Sequence, residues 1–118
     1  MKNFIFSIFT ASLIITGSII YTTTVYAAPT TYYVSSNGDD ASGDGSSSAP
    51  WKTLNKACES VTTAGDTIHI NAGTYTEAGQ CFLAKGVSIE GAGRDTTIIR
   101  TTLTNTYTAF IEMQSPDQ

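Results

Sequence analysis

Charge is scarce in this chain. Of its 118 residues only 14% are charged, six basic against ten acidic, giving a formal net charge of −4 and a pI near 4.6. So low a content excludes a charged helical bundle and a disordered acidic segment, both of which need far more charge. No basic cluster occurs, so nucleic acid is not an expected partner. Histidine occurs once, at His69, and cysteine twice, at Cys58 and Cys81. Zinc-finger spacing and a redox Cys-x-x-Cys are therefore absent. So are a serine nucleophile elbow and a phosphate loop, since Gly91-Ala92-Gly93 reads as a turn. Glu90 and Asp66 lack a partner carboxylate for glycosidase-style acid and base work. No residue is assigned a catalytic role.

The long apolar run lies at the front. Lys2 supplies one positive charge, Phe4 to Ile20 form an apolar core, and Val25-Tyr26-Ala27 ends it in small residues where a signal peptidase would cut. No acid occurs before Asp39. Residues 1–27 are read as an export signal and 28–118 as a single exported domain, secreted or at the cell surface, with no membrane partner after cleavage. An uncleaved membrane anchor is the competing reading of the same run.

Glycine, serine and threonine are abundant, and they punctuate short apolar alternations. Gly65-Asp66-Thr67-Ile68-His69-Ile70-Asn71-Ala72-Gly73-Thr74-Tyr75 sets Ile68 and Ile70 on one face and His69 and Asn71 on the other, the period of a half-buried strand. Val87-Ser88-Ile89-Glu90-Gly91 repeats the unit, and Ile111 begins a third apolar group. Ile70 to Ile89 is a step of 19 and Ile89 to Ile111 one of 22, with the β-branched run Thr96–Arg100 between. A step near twenty with more than one strand in it fits one coil of a parallel β-helix, an all-β solenoid whose coils bury their aliphatics on one another.

Ahead of these coils, Thr30–Ser35 reads as the first strand. A run of turn formers from Asn37 to Ser48 follows. Its acids Asp39, Asp40 and Asp44 are weak calcium candidates. They lack an ordered ligand series and a closing bidentate Glu, and Asp and Gly also suit any tight loop. The expected helix spans Ala49–Val61, with Ser48 or Ala49 before Pro50 in the first turn. Trp51, Leu54, Ala57, Cys58 and Val61 share one face, and Lys52, Asn55, Lys56 and Glu59 take the other. Such a helix would roof the lower end of the stack. In an exported chain Cys58 and Cys81 are expected to be bonded, tying this cap to the first coil, with two buried thiols as the alternative.

Three blocks together resemble a known family. Tyr32–Asp40 looks like its opening strand and loop, Ala49–Ala57 like its capping helix, and Ala64–Tyr75 with Lys85–Gly93 like its first two coils. The family is that of secreted right-handed parallel β-helix proteins of the pectate-lyase-like superfamily, at their N-terminal end. The resemblance implies a right-handed parallel β-helix start with an N-terminal capping α-helix, in a protein acting on polysaccharide. Members acting on acidic polysaccharide use a basic residue and calcium-binding acids on later coils. No position here matches those, so none is carried over. The tail after Met113 has no amphipathic cap, so the remaining coils of a longer chain are the expected partner of the upper face. A non-catalytic adhesin or structural β-helix protein is the alternative.

Overall fold

Each alternating stretch becomes a strand, and every strand pairing is parallel. The computed structural model describes residues 27–104 and 109–113, with Glu112 described by its backbone alone. The export signal therefore lies, apart from Ala27, outside the described residues. Strand β1 (Thr31–Val34) precedes a long loop and helix α1 (Leu54–Ser60). Then come β2 (Thr67–Ile70), β3 (Gly73–Glu77), β4 (Cys81–Leu83), β5 (Ser88–Gly91), β6 (Thr97–Thr101) and β7 (Ile111–Met113).

The strands form three sheets, in the orders β1-β2-β5, β3-β6 and β4-β7. Along the chain β2, β3 and β4 enter three different sheets, and β5, β6 and β7 then enter the same three in the same order. The molecule is thus mostly strand with one short helix, and the described strands close no barrel. Alternation sets which side chains share the interior. Ile68 lies beside Ile89, Tyr75 beside Ile99, Cys81 beside Ile111 and Leu83 beside Met113.

Two steps in the sequence reading shift. Ile70 faces Gly91 rather than Ile89, and Ile111 belongs to the third sheet rather than standing above Ile89. With three short strands per repeat, aliphatic pairs recur more often than whole repeats do. Counting from one pair to the next therefore mixes sheets.

The helix is shorter than expected. It starts at Leu54, and its N-cap is Thr53, in extended conformation, with a side chain that accepts from Lys56 N. Neither Ser48 nor Ala49 caps it. Trp51 is not helical at all: it forms a parallel bridge with Val34, donating its N–H to Tyr33 O (3.1 Å) and accepting from Ser35 N (2.8 Å). Pro50 thus closes the loop instead of opening the helix. The buried helix face is Leu54, Ala57 and Cys58, with Val61 just beyond it. Helix α1 packs chiefly on β4 and touches β1 and β2, and its apolar face joins one core with Val34, Ile68, Ile70, Tyr75, Cys81, Leu83 and Val87. Burying Leu54 contributes roughly 1.5–3 kcal/mol. The Cys58–Cys81 disulfide, with Cα atoms 5.5 Å apart, fastens the helix to β4.

Burial falls off along the stack. Ile68, Ile70, Cys81 and Leu83 are at most 6% exposed, whereas Ile111 is 39% exposed and Met113 73%. Both exposed residues sit in register with buried, inward-facing partners. Their apolar surface therefore points along the stack into water.

Candidate functional site

In the opening loop every candidate carboxylate is bonded within the chain. Asp39 Oδ1 accepts from Ala41 N and its Oδ2 from Ser42 Oγ, both at 2.8 Å. Those bonds, the Ala41 N–H first, hold the Asp39 carboxyl below its ordinary pKa. Asp44 is lowered likewise by Ser46, whose N–H donates to Oδ1 at 2.8 Å. Asp40 reaches further: Oδ1 accepts from Lys52 N and Thr53 N, and Oδ2 from Thr53 Oγ1 at 2.8 Å. Among the described residues no three His, Cys, Asp or Glu side chains gather closely enough to hold a metal ion. The three acids act as turn and cap acceptors, the local role such residues have in tight loops.

Trp51 is the loop's internal pillar. Its ring stacks on Tyr32 with centroids 5.6 Å apart, and its Nε1 donates to Gly43 O at 2.9 Å. Gly45 lies against the ring with φ at +82°, and a Cβ there would fall 2.7 Å from the indole. A side chain at position 45 would thus meet both backbone strain and a collision.

Two buried acids, Glu77 and Asp66, act as structural anchors. Glu77, 1% exposed at the end of β3, accepts from Leu54 N (2.8 Å) and Asn55 N (3.3 Å). It satisfies the free N–H groups at the start of α1 from 22 and 23 residues downstream. Asp66, 5% exposed, accepts from Thr30 N at 2.9 Å. The available signal was Glu77 at an inward position of an alternating strand, where an acid must have partners. Tyr75 is buried alongside and donates to Asn71 O at 2.8 Å, and burial raises its phenol above the ordinary value.

The outward positions form short columns. On the first sheet Tyr33, His69 and Glu90 stand in register, as do Thr31, Thr67 and Ser88. The rings of Tyr33 and His69 are 5.6 Å apart and tilted by 60°. The alternation reads His69, Asn71, Ser88 and Glu90 as outward, and the register sets His69 beside Glu90. Ser88 stands beside Thr67, and Asn71 lies past the end of β2. The columns carry hydroxyls, one imidazole and one carboxylate, and among the described residues of these columns no second acid faces Glu90.

Recesses open on the surface, among them the following. A small one of about 90 Å³ lies between Ser36, Lys52, Thr53 and residues Thr74 to Glu77 of β3. A larger one of about 540 Å³ lies beside the disulfide, lined by Cys58, Glu59, Thr62, Phe82, Ala84 and Lys85. Among the described residues no helix is long and apolar enough to cross a membrane.

Comparison with known proteins bears on the fold alone. Residues 36–93 match a family model described as a protein of unknown function, DUF1565. That family is associated with parallel β-helix proteins. The matched stretch, a little under half of the chain, takes in the opening loop, α1 and β2 through β5. No curated protein and no solved structure matches the chain.

Proposed function

We propose that this chain is the capped N-terminal part of an exported right-handed parallel β-helix protein that acts on polysaccharide, in the manner of the pectate-lyase-like superfamily, and that this part is not catalytic by itself. The observation carrying the reading is the graded burial of the inward column. Residues in register with a fully buried turn are themselves open to water, so a further turn of the same kind belongs on them. The parallel pairing of three strands in unchanged order supports a right-handed coil, the hand that parallel crossovers take almost without exception. The disulfide supports an oxidising compartment, as the leader-like front of the sequence does. Calcium, if the protein uses it, is expected on later coils, because Asp39, Asp40 and Asp44 are committed to the loop.

A second reading has its own support. The outward columns of the first sheet are flat, rich in hydroxyls and without paired carboxylates, as the face of a surface adhesin or structural β-helix protein would be. A cell-wall or outer-membrane anchoring segment downstream favours that reading, and a groove of Asp, Arg and Lys on later coils favours the first.

The test is twofold. In solution the chain should self-associate through its open end, and a monodisperse monomer by light scattering contradicts the stacking argument. Incubated with acidic polysaccharide, with and without calcium, it should release no unsaturated product; a calcium-dependent rise would place catalysis in this part of the molecule.

A further inference from the structure

The geometry points to a saccharide-binding recess at the capped end, lined by Phe82, Glu59, Thr62 and Lys85 and suited to neutral sugar. The inference rests on the polysaccharide reading above and names the kind of sugar this part would hold.

Phe82 is the starting point. On β4 it stands between buried Cys81 and Leu83, so it is the strand's one outward side chain, and it is 50% exposed. A half-exposed phenyl beside a rigid disulfide offers a flat apolar face, on which the C–H face of a sugar ring can pack. The recess over it, about 540 Å³, is within the usual size of small-ligand sites. Its polar lining comes from two elements: Glu59 and Thr62 from the end of α1 and beyond, and Lys85 from the turn after β4.

These polar groups do not pair with one another. Glu59 and Lys85 line one recess, yet no ion pair joins them. The Glu59 carboxylate is held instead by Asn55, whose Nδ2 donates to Oε1 at 2.9 Å. Asn55 keeps that position because residue 79 is glycine: a Cβ there would fall 2.7 Å from the Asn55 amide carbon. Gly79, Asn55 and Glu59 thus form a chain of positioning contacts ending at the recess. The disulfide fixes α1 against β4, so the two halves of the lining keep their spacing. An aromatic floor, an oriented acceptor, a cationic donor and a hydroxyl are the complement of a ring with one apolar face and several hydroxyls. Glu59 and the net charge of −4 oppose a uronate. The preferred unit is therefore neutral.

Calorimetric titration of the full chain with cellohexaose, mannohexaose and xylohexaose, with hexagalacturonate as the acidic comparison, tests this. A neutral oligosaccharide should bind, and Phe82→Leu, which keeps bulk but removes the flat ring, should weaken it about tenfold. Glu59→Gln and Lys85→Ala should each weaken it severalfold, with melting temperatures at the parent value. Gly79→Ala should weaken binding in step with Glu59→Gln, the signature of positioning through Asn55. No neutral ligand, or binding that Phe82→Leu leaves unmoved, overturns the recess. If hexagalacturonate binds regardless of Phe82→Leu, the recess fails while the polysaccharide reading stands. If no saccharide binds, the recess fails, while the polysaccharide reading, which places its groove of Asp, Arg and Lys on later coils, is unaffected.

Discussion

Glu77 shows how much one residue can settle. Its side chain is buried on the inward side of β3, and two N–H groups at the start of α1 donate to it. Hydrogen bonds to a charged acceptor contribute about 1.5–3 kcal/mol, and leaving such groups unsatisfied costs comparable amounts. Glu77→Gln turns one acceptor into a donor facing those N–H groups. We expect it to lower stability by about 2–3 kcal/mol in chemical denaturation. The exposed Glu90→Gln should stay within about 0.5 kcal/mol. Equal effects would show that the bond to α1 carries no weight. This anchor was hidden in the sequence because its partners are backbone groups more than twenty positions upstream, and no spacing rule reports such a pairing. The outward placement of His69 and Glu90 was legible, because period-two alternation fixes a face before any partner is known.

Among the elements, the opening loop and the cap respond to different conditions. The loop depends on ionised Asp39 and Asp44, whose folded pKa values are held below their ordinary ones. A depressed acid adds stability that is present above its unfolded pKa and lost as pH falls through the folded one. Amide exchange of Ala41 and Ser46 should therefore be pH-insensitive, beyond the intrinsic rate, down to about pH 4. It should accelerate below that, and Asp39→Asn should remove the acid step at Ala41. The cap depends on its bridge. Closing a loop of 23 residues' separation contributes roughly 3 kcal/mol. Replacing both cysteines by serine should lower the melting temperature by several degrees, as should reduction of the parent. An unchanged transition on reduction would mean the packing of Leu54 and Ala57 alone holds the helix. The helix itself was legible from its apolar face, but its start was not. Pro50 and Trp51 fit a first turn as well as a loop, and the deciding contacts, Trp51 with Val34 and Asp40 with Thr53, are long-range.

At the scale of the molecule the two ends differ. One is closed by α1, the disulfide and the Trp51 pillar; the other presents Ile111 and Met113. Replacing Met113, 73% exposed, by lysine should reduce self-association in light scattering and leave the melting temperature nearly unchanged, since this side chain buries little here. In a chain extended by another turn the same replacement should cost about 2 kcal/mol or more, because the side chain is then newly buried. A fall in melting temperature in the present chain, without loss of association, would contradict the open-end reading. The repeat was legible in outline, as a step near twenty with a shared interior. Its register was not, because three strands per repeat give several aliphatic pairs from which to count.

The closed end also comes first in chain order, and that has a kinetic meaning. Strands β5, β6 and β7 each pair with one already made, 21 positions back from Ile89 to Ile68 and 30 from Ile111 to Cys81. A polypeptide emerging leading end first would complete its stapled base before the next rungs arrive. Every newcomer would then meet a finished template instead of a loose partner, and growth could proceed like a ladder assembled from the ground.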